Sequence, residues 1–214
     1  MKFKLWASFI LILLIVGGGA FAWWYFIARW QPKTITRHQA EISRLVEKAG
    51  WVSAPGMQGP KLYQIGFRTC PDCIRYRREE YPSLHKAGVD TRMIMIARPD
   101  SNGLAQSTPA ERATVAELWV NRKWDLLERW DAVPVEAWTA TGIPPADGDA
   151  GRTAVIEAGR GLVEKLTPLL KDNGVITSDF CYPMLIWWDQ KGRMRASGCA
   201  SRKSDSYIRR ELGA

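Results

Sequence analysis

The most apolar part of the chain is an uncharged run from Leu5 to Ile27, which begins just after two lysines. At about 1.5 Å per residue, a helix of that length crosses a hydrocarbon core of about 30 Å. Aromatic residues at 23–25 suit a membrane–water interface. The pattern therefore predicts a transmembrane anchor over residues 1–30. A cleaved signal peptide is the alternative, because residues 20–22 fit the small-x-small cleavage pattern, although the apolar run continues past them.

A shorter amphipathic pattern follows the anchor. Thr36 opens a stretch with capping-box spacing, and Ile42 and Val46 recur on one helical face. We expect this helix to pack against the rest of the protein, with a stalk or a dimerisation helix as alternatives. Residues 53–60 are rich in proline and glycine and predict a linker. Residues 31–60 are therefore predicted as an amphipathic stalk helix and a linker.

Residues 61–214 alternate between short apolar runs and helical patterns, which predicts an α/β fold with a mixed central sheet flanked by helices. The two long helical patterns in the middle form a predicted helical insertion over about 100–173. The last two strands form a hairpin around a turn at 189–192. Predicted strands lie at 62–67, 91–97, 182–188 and 194–199, and predicted helices at about 74–87, 109–130, 152–171 and 205–212.

Capping residues and prolines refine these helices. Thr108 and Glu111, with a proline between them, predict an N-terminal capping box for one helix that continues to Trp130. Pro82 predicts a kink in the first helix of this part of the chain. Ser204 and the aspartate after it predict the cap of the closing helix.

Composition narrows the class of protein. The chain has 214 residues, of which 46% are hydrophobic and 24% charged, as in folded globular proteins. The net charge of +8 comes from basic residues scattered over several elements, without a nucleic-acid-binding motif. We therefore expect no nucleic-acid partner, and solvated surfaces with some affinity for anionic lipid. Four cysteines are too few for a disulfide-dense scaffold of this length.

Cys70 and Cys73 carry the clearest chemical signal, since they stand two residues apart where a predicted strand gives way to a helix. Backbone amides and the positive end of the helix dipole stabilise a thiolate there, which makes Cys70 the predicted nucleophile and Cys73 the resolving thiol. Pro71 suits the first helical turn. Asp72 places a carboxylate beside the thiolate and should raise the pKa of Cys70. Pro71 and Asp72 are therefore predicted to tune that pKa.

A zinc half-site is the competing interpretation of this pair. The other two cysteines lack the matching spacing, and the two histidines, His38 and His85, fall in unsuitable places. We therefore predict no metal and no other cofactor.

Cys181 and Cys199 flank the predicted hairpin. If residues 189–192 form the turn, Trp188 lies opposite Arg193 and Tyr182 opposite Cys199, so Cys181 is one position out of register. A bulge or a diagonal pairing would bring the two cysteines within disulfide reach. A second disulfide, structural or redox-linked, and two buried free thiols both remain open.

The stretch FRTCPDCIRYRREEYPSL, together with Tyr182-Pro183 before the later strand, resembles thioredoxin-fold proteins, above all the bacterial periplasmic disulfide oxidoreductases and isomerases. The resemblance covers about residues 62–98 and 174–212. It implies a thioredoxin-like fold, a cis Pro183 facing the cysteine pair, and a Tyr182 that contacts the substrate cysteine. The Pro-Asp dipeptide matches neither the usual oxidase nor the usual isomerase pair, so the direction of electron transfer stays open.

These features together predict a thiol:disulfide oxidoreductase. Because exchanging disulfides persist outside the cytoplasm, we expect a single-pass protein of the bacterial inner membrane with its C-terminal domain in the periplasm. Its expected partners are cysteine-containing exported proteins and a membrane-bound or soluble redox partner. The alternative is a non-enzymatic thioredoxin-fold assembly subunit of an envelope complex for secretion or conjugation.

Overall fold

The computed structural model describes residues 2–178 and 181–214, without the side chains of residues 2–12 and 29. The chain divides into two compact units, 1–31 and 32–214. The first unit consists of helix α1 (Lys2–Phe26) and a short 3-10 turn (Ala28–Trp30). Among the described residues, none of the helices combines the length and the apolar character that a membrane crossing requires. The predicted anchor falls in part on residues outside this description, and it stays a prediction.

The second unit is built on a five-stranded mixed sheet in the order β1-β5-β4-β2-β3. Strands β2 and β3 are parallel, and every other neighbouring pair is antiparallel. The strands are β1 (Lys33–Thr34), β2 (Lys61–Gly66), β3 (Asp90–Met95), β4 (Met184–Trp188) and β5 (Met194–Ser197).

Helices cover both faces of this sheet, so the predicted mixed α/β class with a central sheet flanked by helices is confirmed. Alternation along β2 separates the faces: Tyr63 and Ile65 pack in one core with α2 and α6, whereas Leu62 packs in another with α3 and α7. Helices α4 and α5 form a third core with β3. The helices are α2 (Gln39–Lys48), α3 (Pro71–Lys86), α4 (Pro109–Asn121), α5 (Trp124–Ala132), α6 (Ala150–Asp172) and α7 (Arg202–Leu212).

Helix α2 packs against the domain, as expected, because Ile42 and Val46 are fully buried in the core that includes α6. The predicted capping box at Thr36 is wrong. The backbone N–H groups of Thr36 and Arg37 donate to Asn173 Oδ1 at 2.9 and 3.0 Å, and the helix begins only at Gln39. From residue 32 onward, the segment predicted as stalk and linker therefore lies in the same compact unit as the sheet.

The insertion differs from the prediction in one respect. The capping box of Thr108 and Glu111 is confirmed, with Glu111 N–H donating to Thr108 Oγ1 at 3.1 Å. The single helix expected beyond it is two helices, because Arg122 ends α4 in the left-handed region at φ 50°. Helix α3, in contrast, continues through Pro82 to Lys86.

The C-terminal hairpin is shifted by one residue from the predicted register. Asp189 N–H donates to Arg193 O at 3.0 Å, so these two residues close the turn and Trp188 lies opposite Met194. The closing helix also starts earlier than predicted, because Ser201 is its N-cap and its N–H donates to Oγ of Ser204, the third helical residue, at 3.0 Å.

Candidate functional site

The cysteine pair lies where the sequence pattern indicates. Cys70 is the N-cap of α3 with extended backbone, and its Sγ accepts a hydrogen bond from Cys73 N–H at 3.1 Å. Pro71 is the first helical residue, where its missing N–H costs nothing. Cys70 and Cys73 form a disulfide with a Cα separation of 5.2 Å. The same helical turn that closes the disulfide would therefore stabilise a thiolate on Cys70 after reduction.

Both sulphurs are well covered by protein. Cys70 is 3% exposed and Cys73 is fully buried. Cys73 packs directly onto Gly66, the last residue of β2, where a Cβ atom would lie 2.6 Å from Cys73 Sγ. An incoming thiol can therefore reach Cys70 through its small exposed fraction but cannot reach Cys73. A nucleophile and a resolving thiol need this difference in access.

Tyr182 and Pro183 lie at the same end of the sheet as the cysteine pair, because Met184 at the start of β4 pairs with Ile65 near the end of β2. The Tyr182 ring contacts the Phe67 ring edge to face at 5.1 Å, and Cys70 N–H donates to Phe67 O at 3.2 Å. The Tyr182–Pro183 peptide bond is cis, the geometry that the resemblance implies. Burial raises the pKa of Tyr182 to about 12, so its hydroxyl stays protonated at neutral pH.

Charge around the pair is dominated by Arg75 on α3. Its Nε lies 3.7 Å from Oδ1 of the exposed Asp72, its Nη1 lies 2.8 Å from Asp205 Oδ2, and its Nη2 donates to Ala200 O at 3.1 Å. The guanidinium therefore offsets part of the negative charge that Asp72 brings to the site. Burial raises the pKa of the Asp205 carboxyl, and its bond to Arg75 opposes that rise.

A second ionic cluster joins the site to the insertion. Asp131 Oδ1 on α5 contacts Arg68 Nη1 at 3.1 Å and Arg77 Nη2 at 2.7 Å, and both arginines are buried. Burial raises the pKa of Asp131 and lowers that of Arg68, while their mutual attraction opposes both shifts. The guanidinium of Arg68, two residues before Cys70 in the sequence, is therefore paired with Asp131 on α5.

Sequence reasoning missed two polar residues at this site, Asp131 and the buried Gln64. Gln64 on β2 is fully buried, and its Nε2 donates to Cys73 O at 3.2 Å. Its polar side chain within the apolar β2 run was the available signal, since a buried amide needs hydrogen-bond partners. Asp131 gave a weaker signal, because an aspartate beside Trp130 also suits an exposed helix face.

Cys181 and Cys199 form a second disulfide with a Cα separation of 4.7 Å. Cys181 is buried, whereas Cys199 is exposed and has left-handed backbone at φ 51°. Gly198 fits beside them because a Cβ there would lie 3.0 Å from Cys181 Sγ and 2.1 Å from Ile176 Cγ2. The bridge anchors the segment before Tyr182 to the loop that leads into α7.

The two histidines lie apart from the cysteine pairs. His38 Nε2 faces Asp172 Oδ2 at 3.5 Å, and His85 Nε2 lies 2.6 Å from Thr91 Oγ1. Burial lowers the pKa of His85, with Glu128 opposing the shift. Within the described part of the chain, no group of three or more His, Cys, Asp or Glu side chains is arranged to hold a metal ion.

A cleft of about 650 Å³ opens beside the site, with Phe67 and Tyr182 among its lining residues. Side chains of α6 and the segment 98–101 supply most of the remaining wall, together with Ile96 and Gln106. Arg98 covers Phe67 with its guanidinium 5.0 Å from the ring centroid. The cleft has the volume of a ligand pocket and combines apolar lining with charged groups of both signs.

No protein-family model matches the chain, and a search of curated proteins finds no match. The candidate site is thus defined by its own geometry: a cysteine pair at a helix N-terminus, a tyrosine–proline segment at the same sheet end, and an adjoining cleft.

Proposed function

We propose that residues 32–214 form a thioredoxin-like thiol:disulfide oxidoreductase that exchanges disulfides with cysteine-containing proteins through Cys70 and Cys73. The observation that carries the proposal is the closed Cys70–Cys73 pair at the start of α3, with Cys70 Sγ accepting the Cys73 amide hydrogen. A strand–helix–strand unit and a hairpin followed by a helix share one sheet, which is the arrangement expected of that fold.

The exchange balances without a cofactor. In the reducing direction the Cys70 thiolate attacks a substrate disulfide, forms a mixed disulfide and releases one substrate thiolate. The Cys73 thiol then gives its proton to the released substrate thiolate, attacks the Cys70 sulphur, releases the second substrate thiolate and closes the Cys70–Cys73 disulfide. Two electrons pass to the substrate, and a dithiol redox partner restores the reduced pair. The oxidising direction runs through the same mixed disulfide in reverse.

Substrate contacts are proposed for the Tyr182–Pro183 segment and for the cleft beside it. The Phe67 ring contacts the Tyr182 ring, and the Phe67 carbonyl accepts a hydrogen bond from Cys70 N–H. A polypeptide lying against these rings would therefore present its cysteine to the nucleophile. The apolar lining supplies most of the contact area, and the protonated hydroxyl of the half-buried Tyr182 supplies a polar contact.

The proposed location is the bacterial inner membrane, with residues 1–30 as a single-pass anchor and the C-terminal domain in the periplasm. The uncharged run from Leu5 to Ile27 supports the anchor, and the two disulfides support an oxidising compartment. Exported proteins with cysteines are then the proposed substrates, and a membrane-bound or soluble dithiol protein is the proposed redox partner.

The test uses the full chain purified in detergent and insulin reduction driven by dithiothreitol. Wild type should accelerate the reaction, Cys70→Ser should abolish the acceleration, and Cys73→Ser should accumulate a mixed disulfide on Cys70 that gel electrophoresis without reductant detects. Asp125→Asn is the control, because Asp125 is 71% exposed and lies in the insertion. Equal rates for wild type and Cys70→Ser would refute the proposal.

The same variants separate this function from the alternative of a non-enzymatic assembly subunit in an envelope complex. A stable complex that co-purifies equally well with wild type, Cys70→Ser and Cys73→Ser, without insulin turnover, would favour assembly. Thiol trapping of Cys70 and Cys73 in cells would give the direction of transfer: a mostly reduced pair indicates a reductase or isomerase, and a mostly oxidised pair an oxidase.

A further inference from the structure

Gln64 lies directly under the first turn of α3. It is fully buried at the middle of β2, a central strand of the sheet, and its Nε2 donates to the carbonyl of Cys73 at 3.2 Å. A carbonyl can only accept, so the atom facing it must be the amide nitrogen. The orientation of the Gln64 amide is therefore determined by its partner.

The other end of this amide is unsatisfied. Gln64 Oε1 is buried and has no hydrogen-bond partner. Most buried side-chain acceptors are paired, and leaving one unpaired is destabilising. The disulfide form of the protein therefore carries an unpaired acceptor beneath the Cys70–Cys73 pair.

Reduction creates a donor at this place. Gln64 and Gly66 share one face of β2 because side chains alternate along a strand, and Cys73 Sγ faces the same surface, 2.6 Å from where a Cβ of Gly66 would lie. When the disulfide opens, Cys73 gains an S–H group, and a thiol is a hydrogen-bond donor. The unsatisfied acceptor and the new donor then lie on the same side of α3.

We propose that Gln64 is a positioning residue of the redox pair, and that its Oε1 accepts the S–H of Cys73 in the dithiol form. The inference rests on the proposed function, which makes that dithiol a working state. Reduction by an external dithiol adds two electrons and two protons to the Cys70–Cys73 disulfide and leaves Cys73 as a neutral thiol. The amide of Gln64 is neutral and takes no proton, so it favours that thiol and makes the pair more oxidising.

The first test is the equilibrium of the full chain with glutathione. Gln64→Met keeps the length of the side chain and removes both polar atoms. We expect the variant to retain its disulfide about tenfold more strongly than wild type, since one net hydrogen bond of the reduced form is lost and the unpaired acceptor of the oxidised form is removed. Tyr63→Phe is the matched control: it removes a buried 2.8 Å hydrogen bond with Arg92 from the opposite face of the same strand and should leave the equilibrium unchanged.

The second test observes the Cys73 thiol itself. In Cys70→Ser, with the Cys181–Cys199 bridge intact, Cys73 is the single remaining thiol, and its infrared S–H stretch reports hydrogen bonding directly. We expect the band at the lower frequency of a hydrogen-bonded thiol, and at higher frequency when Gln64→Met is added. A band at the frequency of a free thiol in Cys70→Ser, or a glutathione equilibrium unchanged by Gln64→Met, would overturn the inference.

Both readouts use the protein with glutathione or alone, so they are independent of turnover on protein substrates. Failure of the insulin assay with a Gln64-dependent equilibrium would refute the proposed function only. If the enzyme is active but neither the glutathione equilibrium nor the S–H band depends on Gln64, only this inference is refuted.

Discussion

Gly66 offers a direct test of how closely α3 packs onto the sheet at the redox pair. An alanine there would place its Cβ 2.6 Å from Cys73 Sγ, 3.3 Å from Cys73 Cβ and 3.5 Å from Met93 Cε. The first of these distances is well inside van der Waals contact, so an atom must move. In the oxidised protein Cys73 Sγ is bonded to Cys70 and has no free rotamer to adopt, so the strain passes to the first turn of α3.

Overpacking of this kind costs about 1–3 kcal/mol. We expect Gly66→Ala to lower the free energy of unfolding of the oxidised protein by about 2 kcal/mol, within that range. After reduction Cys73 can turn its sulphur away, so the loss in the dithiol form should be smaller. Linkage then makes the pair of Gly66→Ala more oxidising than that of wild type, because the disulfide form has lost more stability.

Urea unfolding of the oxidised and reduced proteins measures both quantities from the midpoint at constant slope. Gly161→Ala is the matched control, because nothing lies within 4 Å of a Cβ at that position inside α6. It should gain about 0.5–1 kcal/mol from helix propensity alone, in both redox forms. An oxidised Gly66→Ala that unfolds within about 0.5 kcal/mol of wild type would refute the close packing of Gly66 on Cys73.

Two further predictions concern the hairpin and the second bridge. Burial alone would raise the pKa of Asp189, but hydrogen bonds from Arg193 and from the backbone of Lys191 lower it overall. The Asp189 carboxylate therefore stabilises the fold fully above about pH 4, and this stabilisation is lost as the pH falls through its lowered pKa. The difference in free energy of unfolding between wild type and Asp189→Asn, measured in urea, should therefore shrink on acidification. A difference that does not change with pH contradicts this. Cys181 and Cys199 are 18 residues apart, and replacing both by alanine should lower the free energy of unfolding, measured without reductant, by about 3 kcal/mol. A decrease of less than about 1 kcal/mol would show that the bridge barely constrains the unfolded chain.

Local signals made much of the fold predictable. Cys70 and Pro71 mark the start of α3, and Thr108 with Glu111 marks the start of α4, because a helix cap depends on residues within one turn. Strands β2 to β5 were predicted for the same reason, since an apolar run bounded by turn residues is a local pattern, whereas the two-residue strand β1 was missed.

The errors occur where a distant residue decides the structure. The backbone N–H groups just before α2 donate to the side chain of Asn173 at the end of α6, so the capping box expected of Thr36 does not form. The hairpin register is the exception, because it depends on the local turn that Asp189 closes with Arg193. Gln64 and Asp131 became visible as site residues only when the fold brought α3 against β2 and α5. Tertiary contacts of this kind leave no periodic mark in a sequence.

The spacing of the four cysteines has a consequence for oxidative folding. The native pairs are separated by 3 and by 18 residues, although β2 and β4, which bring them to one end of the sheet, are far apart in sequence. A mispaired bridge between the first two cysteines and the last two would close a loop of about 110–130 residues. At about 0.6 kcal/mol per doubling of loop length, such closure costs about 1.6 kcal/mol more than the 18-residue loop. Chain entropy in the unfolded protein already favours the native bridges over crossed ones by more than tenfold, before the sheet has formed.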